Sequence, residues 1–385
     1  MSFLLYFCCM AGIYLHIPFC KQKCHYCDFH FSTSLGGKDD FLHALLLEIE
    51  LQKTYLSGEK INTIYFGGGT PSLLSEKELM QIFDKLHQHF SVDENAEITL
   101  EANPDDLTAQ KVKELKQTPI NRFSIGIQSF QDADLRFMNR AHNSEEAISS
   151  VRRVQDAGWE NITIDLIYGT PTLSDSDWTN NMQTAIDLSV PHISAYALTV
   201  EENTTLHHFI KSKKCAPVED EQSARQFQQL MERLPKAGFI QYEISNFGKE
   251  GFFSKHNSNY WKGEKYLGLG PSAHSFNEAS RQWNIANNSR YIQSLKKGEL
   301  LMEVEKLTEA QQYNEYILTS LRTVWGVNIN FTKSNFSSIL NDYLLILLDK
   351  WAKSNHIYQK NEIFTLSEKG KLMADAIASD LFYVE

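Results

Sequence analysis

The chain has 385 residues, 42% hydrophobic and 22% charged, which is ordinary globular composition and excludes a disordered, collagenous or fibrous protein. Its 37 Lys and Arg stand against 48 Asp and Glu, a formal net charge of -11; so acidic a balance argues against nucleic acid held through many phosphate contacts. There is no run of 18 apolar residues and hence no expected membrane span. Three of the six cysteines crowd into residues 20–27, which suits a metal or cluster site in a reducing cytoplasmic compartment better than a disulfide framework.

Residues 3–15 (FLLYFCCMAGIYL) are apolar over a signal-peptide length, but no Lys or Arg precedes them and no A-x-A site follows. Met10 stands just before the first strand pattern, so residues 1–10 read as an upstream extension with Met10 as the working start. Six strand-like runs follow: IYLHI (13–17), INTIYF (61–66), EITL (97–100), RFSIGI (122–127), ITIDLI (162–167) and HISAYAL (192–198). Helical periods occupy 41–55, 76–90, 109–115, 145–157, 175–188 and 222–237. Parallel strands need crossover helices, so the alternation implies an α/β fold with a partial (β/α)6 barrel over 11–240, open on one side. Residues 241–300, rich in Gly, Asn, Ser and aromatics with little period, read as a loop-rich segment. Residues 301–385 turn helical again, with IYQKNEIFTL as a small hairpin, and read as a compact, winged-helix-like C-terminal domain.

The chemistry-bearing residues cluster at strand ends. Cys20, Cys24 and Cys27, spaced C-x3-C-x2-C, follow the first strand. Three thiolates can hold a [4Fe–4S] cluster with one iron open, or a zinc ion with His25 or His30 as fourth ligand. Gly67, Gly68, Gly69 and Thr70 follow the second strand, where glycines let backbone approach a ligand closely. Glu101 and Gln128 follow the third and fourth strands, Asp165 lies late in the fifth, and Ala197 ends the sixth. In β/α barrels that end is the active face, and a buried Asp between Ile164 and Leu166 needs a partner or a ligand. Arg140, in MNRAH after a short helix, is a candidate cation for a carboxylate. His256, in HNSNYW, is a candidate axial iron ligand whose flanking Tyr260 and Trp261 would cover a flat apolar ring. Taken singly, Glu101 and Asp165 could be helix caps, and Arg140 and His256 surface residues.

Together these residues resemble the radical S-adenosylmethionine (SAM) superfamily, through C-x3-C-x2-C after YLHIPFC. HIPFCKQKCHYCDF, YFGGGTPSLL, LEANPDDL, RFSIGIQSF, MNRAH and TIDLIYG further resemble the oxygen-independent coproporphyrinogen III oxidase group. HNSNYW resembles the HNxxYW motif of that group's heme chaperone branch. The resemblance implies a cluster on Cys20, Cys24 and Cys27, with SAM on the open iron. Tyr14 and Tyr26 would flank SAM, and Gly68, Gly69 and Thr70 would line its methionine end. Glu101, Gln128, Arg140, Asp165 and Ala197 would complete the pocket. The oxidases carry a fourth cysteine two positions after the third, where this chain has Phe29, and a substantial segment before the cluster, where this chain has 19 residues. The expectation is a heme chaperone, monomeric or homodimeric, that binds heme through His256 and delivers it to acceptor hemoproteins such as respiratory enzymes. The alternatives are coproporphyrinogen III oxidative decarboxylation, a radical SAM enzyme acting on RNA or a small molecule, and a zinc-structured binding module.

Overall fold

The computed structural model describes residues 10–384; residues 1–9, with Cys8, Cys9 and nearly all of the expected extension, lie outside the described residues. Six parallel strands run side by side in chain order: β1 (Met10–Ile17), β2 (Lys60–Gly68), β3 (Val92–Ala102), β4 (Arg122–Gln128), β5 (Ile162–Tyr168) and β6 (His192–Ala197). Each strand alternates. Ile13, Leu15, Ile64, Phe66, Leu100, Phe123, Ile125, Ile162, Ile164 and Leu166 are fully buried in one core, as strands covered by crossover helices require. The residues between them are polar or small and turn to the barrel interior.

The crossover helices are encoded locally. Ser75 and Glu78 form a reciprocal capping box at the start of Glu76–His89, and Asn143 and Glu146 do the same for Ser144–Asp156. Lys38–Leu51, Ala109–Leu115, Asp175–Asp187 and Asp220–Arg233 complete the outer layer.

The sheet continues past the barrel at both edges. Beyond β6 lie β7 (Ile240–Gln241) and β8 (Asn246–Gly248), with β8 antiparallel to β6. Beyond β1 lie β9 (Tyr266–Leu269), parallel to it, then the antiparallel β10 (His274–Phe276), β11 (Ser280–Asn284) and β12 (Met302–Lys306). The stretch expected to be loop-rich therefore carries four of these strands, β8 to β11, and the helices Lys255–Trp261 and Asn288–Leu295. Strands of three to five residues show little period of their own and take their state from the sheet edge they join. Glu48, fully buried on the first helix, ties this extension down by accepting from Gly270 N (2.7 Å), Asn284 Nδ2 (2.5 Å) and the Tyr291 hydroxyl (2.5 Å).

The C-terminal part runs helix Glu309–Leu321, β13 (Val327–Asn328), helices Ile329–Asn335 and Ser338–Lys353, hairpin β14 (Ile357–Lys360) and β15 (Ile363–Leu366), then helices Glu368–Lys371 and Ala374–Leu381. Tyr313, Ile317, Leu344, Leu348, Ile377 and Leu381 form its own core.

Candidate functional site

A cavity of about 410 Å³ opens at the C-terminal ends of the barrel strands. Cys20, Cys24, Cys27, Tyr26, Gly68, Gly69, Thr70, Glu101, Gln128, Arg140, Asp165 and Ala197 all line it; Tyr14 and His256 do not. The cysteine loop is pinned to the turn before Arg140: His25 N donates to Met138 O (3.1 Å), Gln22 Nε2 to Asn139 O (2.9 Å), and Asn139 Nδ2 to Lys23 O (2.7 Å). Arg140 reaches through this junction. Its Nη1 lies 3.2 Å from Cys24 Sγ, and its Nη2 donates to Asn103 Oδ1 (2.6 Å) and Gly126 O (2.8 Å). Its buried Nε has no hydrogen-bond partner among the described residues.

The glycine turn is required by close packing. A Cβ on Gly69 would stand 2.6 Å from Phe19 O and 2.7 Å from Ile17 O; Gly68, at φ +100°, would meet the His16 ring at 2.6 Å. Gly69 N and Thr70 N bond Ile17 O (2.9 Å) and Phe19 O (2.7 Å), which seats the turn against the cysteine loop. Gln128 holds a left-handed φ of 66° where β4 ends, a strain that turns its side chain to the cavity.

Neither Glu101 nor Asp165 caps a helix. Tyr65 donates its hydroxyl to Glu101 Oε1 (2.8 Å), and Ser124 Oγ lies 3.3 Å from Asp165 Oδ1. Burial, aided by Asp165, pushes Glu101 up to about 7; burial pushes Asp165 up to about 6. Tyr14 sits one layer beneath the glycine turn, its hydroxyl 3.3 Å from His16 Nδ1 and its ring stacked on Tyr65 at 6.1 Å.

The opposite end of the barrel is closed by the helix Lys255–Trp261, which carries HNSNYW. Ser254 caps it by accepting from Asn257 N (3.3 Å), and Lys255 N and His256 N donate to the Glu97 carboxylate at 3.1 Å each. His256 points into the barrel. Its Nδ1 lies 2.9 Å from Thr63 Oγ1, and its ring stacks on Tyr65 at 5.0 Å and on Tyr14 at 6.4 Å. Burial, with Arg122 nearby, drives its imidazole down to about 3, so it is neutral at pH 7. The rings over the His256 imidazole are thus Tyr14 and Tyr65. Tyr260 and Trp261, one helical turn further on, pack on each other at 5.1 Å, with Trp261 under Arg322 and Tyr260 against Tyr266.

A sequence profile described as the radical SAM superfamily matches residues 14–185. The heme chaperone HemW of Bacillus subtilis is 32% identical over 371 residues, covering 96% of this chain and 98% of that protein. That of Escherichia coli is 30% identical over 379 residues, covering 97% and 98%. The chain belongs to the radical SAM superfamily, in the HemW group. The solved structure of coproporphyrinogen III oxidase (HemN) from Escherichia coli, a radical SAM enzyme, covers 97% of this chain and 90% of its own at a TM-score of 0.83, with 22% identity, a likeness of fold.

Membership implies a [4Fe–4S] cluster and SAM, and the residues at the open end fit both. The donor set is three part-exposed thiols; burial foremost, then the neighbouring thiols, pushes Cys27 up to about 11 when no cation is present to hold thiolates. His25 Nδ1 bonds Phe137 O (2.8 Å) and His30 Nε2 bonds Asn288 Oδ1 (2.7 Å), so each candidate fourth zinc ligand has a ring nitrogen engaged elsewhere. Cys20, Cys24 and Cys27 would hold the cluster, and the iron they leave open would be the place for SAM. Around it, Arg140 keeps an unpartnered Nε, and Glu101 and Asp165 are buried carboxylates outside any ion pair among the described residues, a complement for a ligand that is anionic at one end and cationic at the other. Tyr65, Asn103, Ser124, Ser194 and Tyr196 also line the cavity and were not singled out from the sequence. Asn103 lies just past β3; the signal of the other four is the alternation of polar and apolar residues within otherwise buried strands.

Proposed function

We propose that this protein is a cytoplasmic heme chaperone: it binds heme, with His256 as the iron ligand, and passes it to acceptor hemoproteins, respiratory enzymes among them. The cluster on Cys20, Cys24 and Cys27 and the SAM at its open iron belong to the same reading, with Tyr26, Gly68, Gly69, Thr70, Glu101, Gln128, Arg140, Asp165 and Ala197 around SAM and Tyr14 beneath it. The observation that carries it is likeness to heme chaperones over nearly the whole chain, at 32% identity. Two features agree. Phe29 stands where the oxidases have a further cysteine. The imidazole of His256 is held neutral, the form that ligates iron, and Asn257 beside it reaches the lining of the cavity. No helix among the described residues is long and apolar enough to cross a membrane.

The test is anaerobic reconstitution with iron and sulfide, followed by hemin titration read by absorbance, beside a coproporphyrinogen III turnover assay. Stoichiometric heme binding without turnover, with the Soret band shifted or lost in His256→Ala, is the expected result. Turnover without specific heme binding overturns the reading in favour of the oxidase; an unaltered His256→Ala spectrum removes His256 as ligand.

A further inference from the structure

We propose that Thr63 is a positioning residue for His256: its hydroxyl accepts Nδ1–H and so reserves the Nε2 lone pair for iron. The inference rests on His256 being the heme ligand. Thr63 Oγ1 lies 2.9 Å from Nδ1, and Nε2 receives no hydrogen bond from the described residues. An imidazole has one proton for two nitrogens, so a partner that takes the proton at Nδ1 decides which nitrogen can ligate.

Three neighbours fix the pair. Gly12, facing it across β1, leaves the only space: a Cβ there would stand 2.8 Å from Thr63 Oγ1 and 3.3 Å from both Cε1 and Nδ1 of His256. Tyr65, two residues along β2, lies over the face of the ring at 5.0 Å and 26°. Glu97, in register with Thr63 on the adjoining strand, holds the backbone by accepting from Lys255 N and His256 N. Face, edge and backbone are therefore all set from strands β1 to β3. Among the described residues, the side-chain hydrogen bond to the ring comes from Thr63, whose hydroxyl can take either role, and which is itself fully buried and outside the cavity lined by the cysteines.

Thr63→Val keeps shape and strand preference while removing the acceptor. The experiment reads the side-chain 15N shifts of His256 in the heme-free protein and then titrates hemin. Thr63→Val is expected to lose the single Nδ1–H tautomer and weaken hemin binding roughly ten- to a hundred-fold, with iron and sulfide content unchanged; Thr63→Ser is expected to restore both. Gly12→Ala, which crowds the pair without touching its chemistry, is expected to weaken hemin binding as well. A wild-type ring protonated at Nε2, with Thr63 donating to Nδ1, overturns the role of Thr63 alone, as do wild-type tautomer and affinity in Thr63→Val beside an impaired His256→Ala. A His256→Ala variant with the wild-type heme spectrum overturns the parent reading and this one with it.

Discussion

The two ends of the barrel interior are built from the same strands and treat their polar groups in opposite ways. At the closed end nearly every group is matched by protein. Thr163 and Tyr242 bracket the two nitrogens of His192 at 3.0 and 2.8 Å, and Glu97, 3.8 Å from Arg122, accepts two backbone N–H groups. At the open end, Glu101 and Asp165 accept from the Tyr65 and Ser124 hydroxyls but join no ion pair among the described residues, the three thiols stay part-exposed, and Arg140 Nε has no hydrogen-bond partner among those residues. Buried polar groups are ordinarily satisfied, so groups left over at one end mark where ligands complete the structure. Two atoms are exceptions at the closed end: Arg122 Nε, 3.8 Å from Glu97, and His256 Nε2 have no hydrogen-bond partner among the described residues.

The sharpest way to break this comparison is to remove one ligand-completed group at the open end and read both ends. Cys24→Ala is expected to reduce iron and sulfide to background after reconstitution, because two thiolates do not hold a cubane. The hemin spectrum is expected to persist, since Cys24 touches none of the groups around His256. Cluster retention would overturn the assignment of the thiols, and joint loss of heme would show that the two ends are not independent. Arg140→Ala is the next largest effect. It removes a fixed guanidinium that contacts Cys24 Sγ at 3.2 Å and carries a spare donor. SAM affinity on the cluster-loaded protein is expected to fall by about 1.5–3 kcal/mol, roughly ten- to a hundred-fold, by calorimetry. Unchanged affinity would take Arg140 out of the site.

The open end was far more legible in the sequence than the closed one, for a physical reason. Motif residues such as Cys20 to Cys27 or Gly67 to Thr70 are contiguous because one loop must present several groups to one ligand, and barrel geometry puts all such loops at the same end. The closed end draws Gly12, Thr63, Glu97, Arg122, Thr163, His192 and His256 from seven separate segments, one residue each. Apart from His256, each is a lone polar or small position on an inward face, visible only as a period-two interruption in an apolar run. HNSNYW was legible as a motif, but not its setting. Residues that cap and form a seven-residue helix look like loop, and nothing local says that the helix plugs a barrel or that Tyr14 and Tyr65 cover the imidazole. The capping boxes at Ser75 and Asn143, by contrast, are signals within four residues, and those helices were readable to within a residue or so.

The smallest expected effect tests the two buried carboxylates of the open end. Burial raises Glu101 to about 7 and Asp165 to about 6 in the folded, unliganded chain, above the roughly 4 of unfolded carboxylates. The folded state therefore holds these protons longer than the unfolded one. Their contribution to stability is fully present below about pH 4 and is lost as pH rises toward 7. A cationic ligand reverses the sense, because it binds the ionised carboxylates and must first displace the protons. SAM affinity on the cluster-loaded protein is thus expected to rise several-fold from about pH 5.5 to 7.5 and then level off. His16 and His142, both lowered to about 4 by burial, do not titrate in that window. Glu101→Gln is expected to remove the upper part of the rise and leave a midpoint near 6, set by Asp165. A flat profile in the wild type would mean that both carboxylates are already matched within the fold, and that the open end resembles the closed end more than the structure indicates.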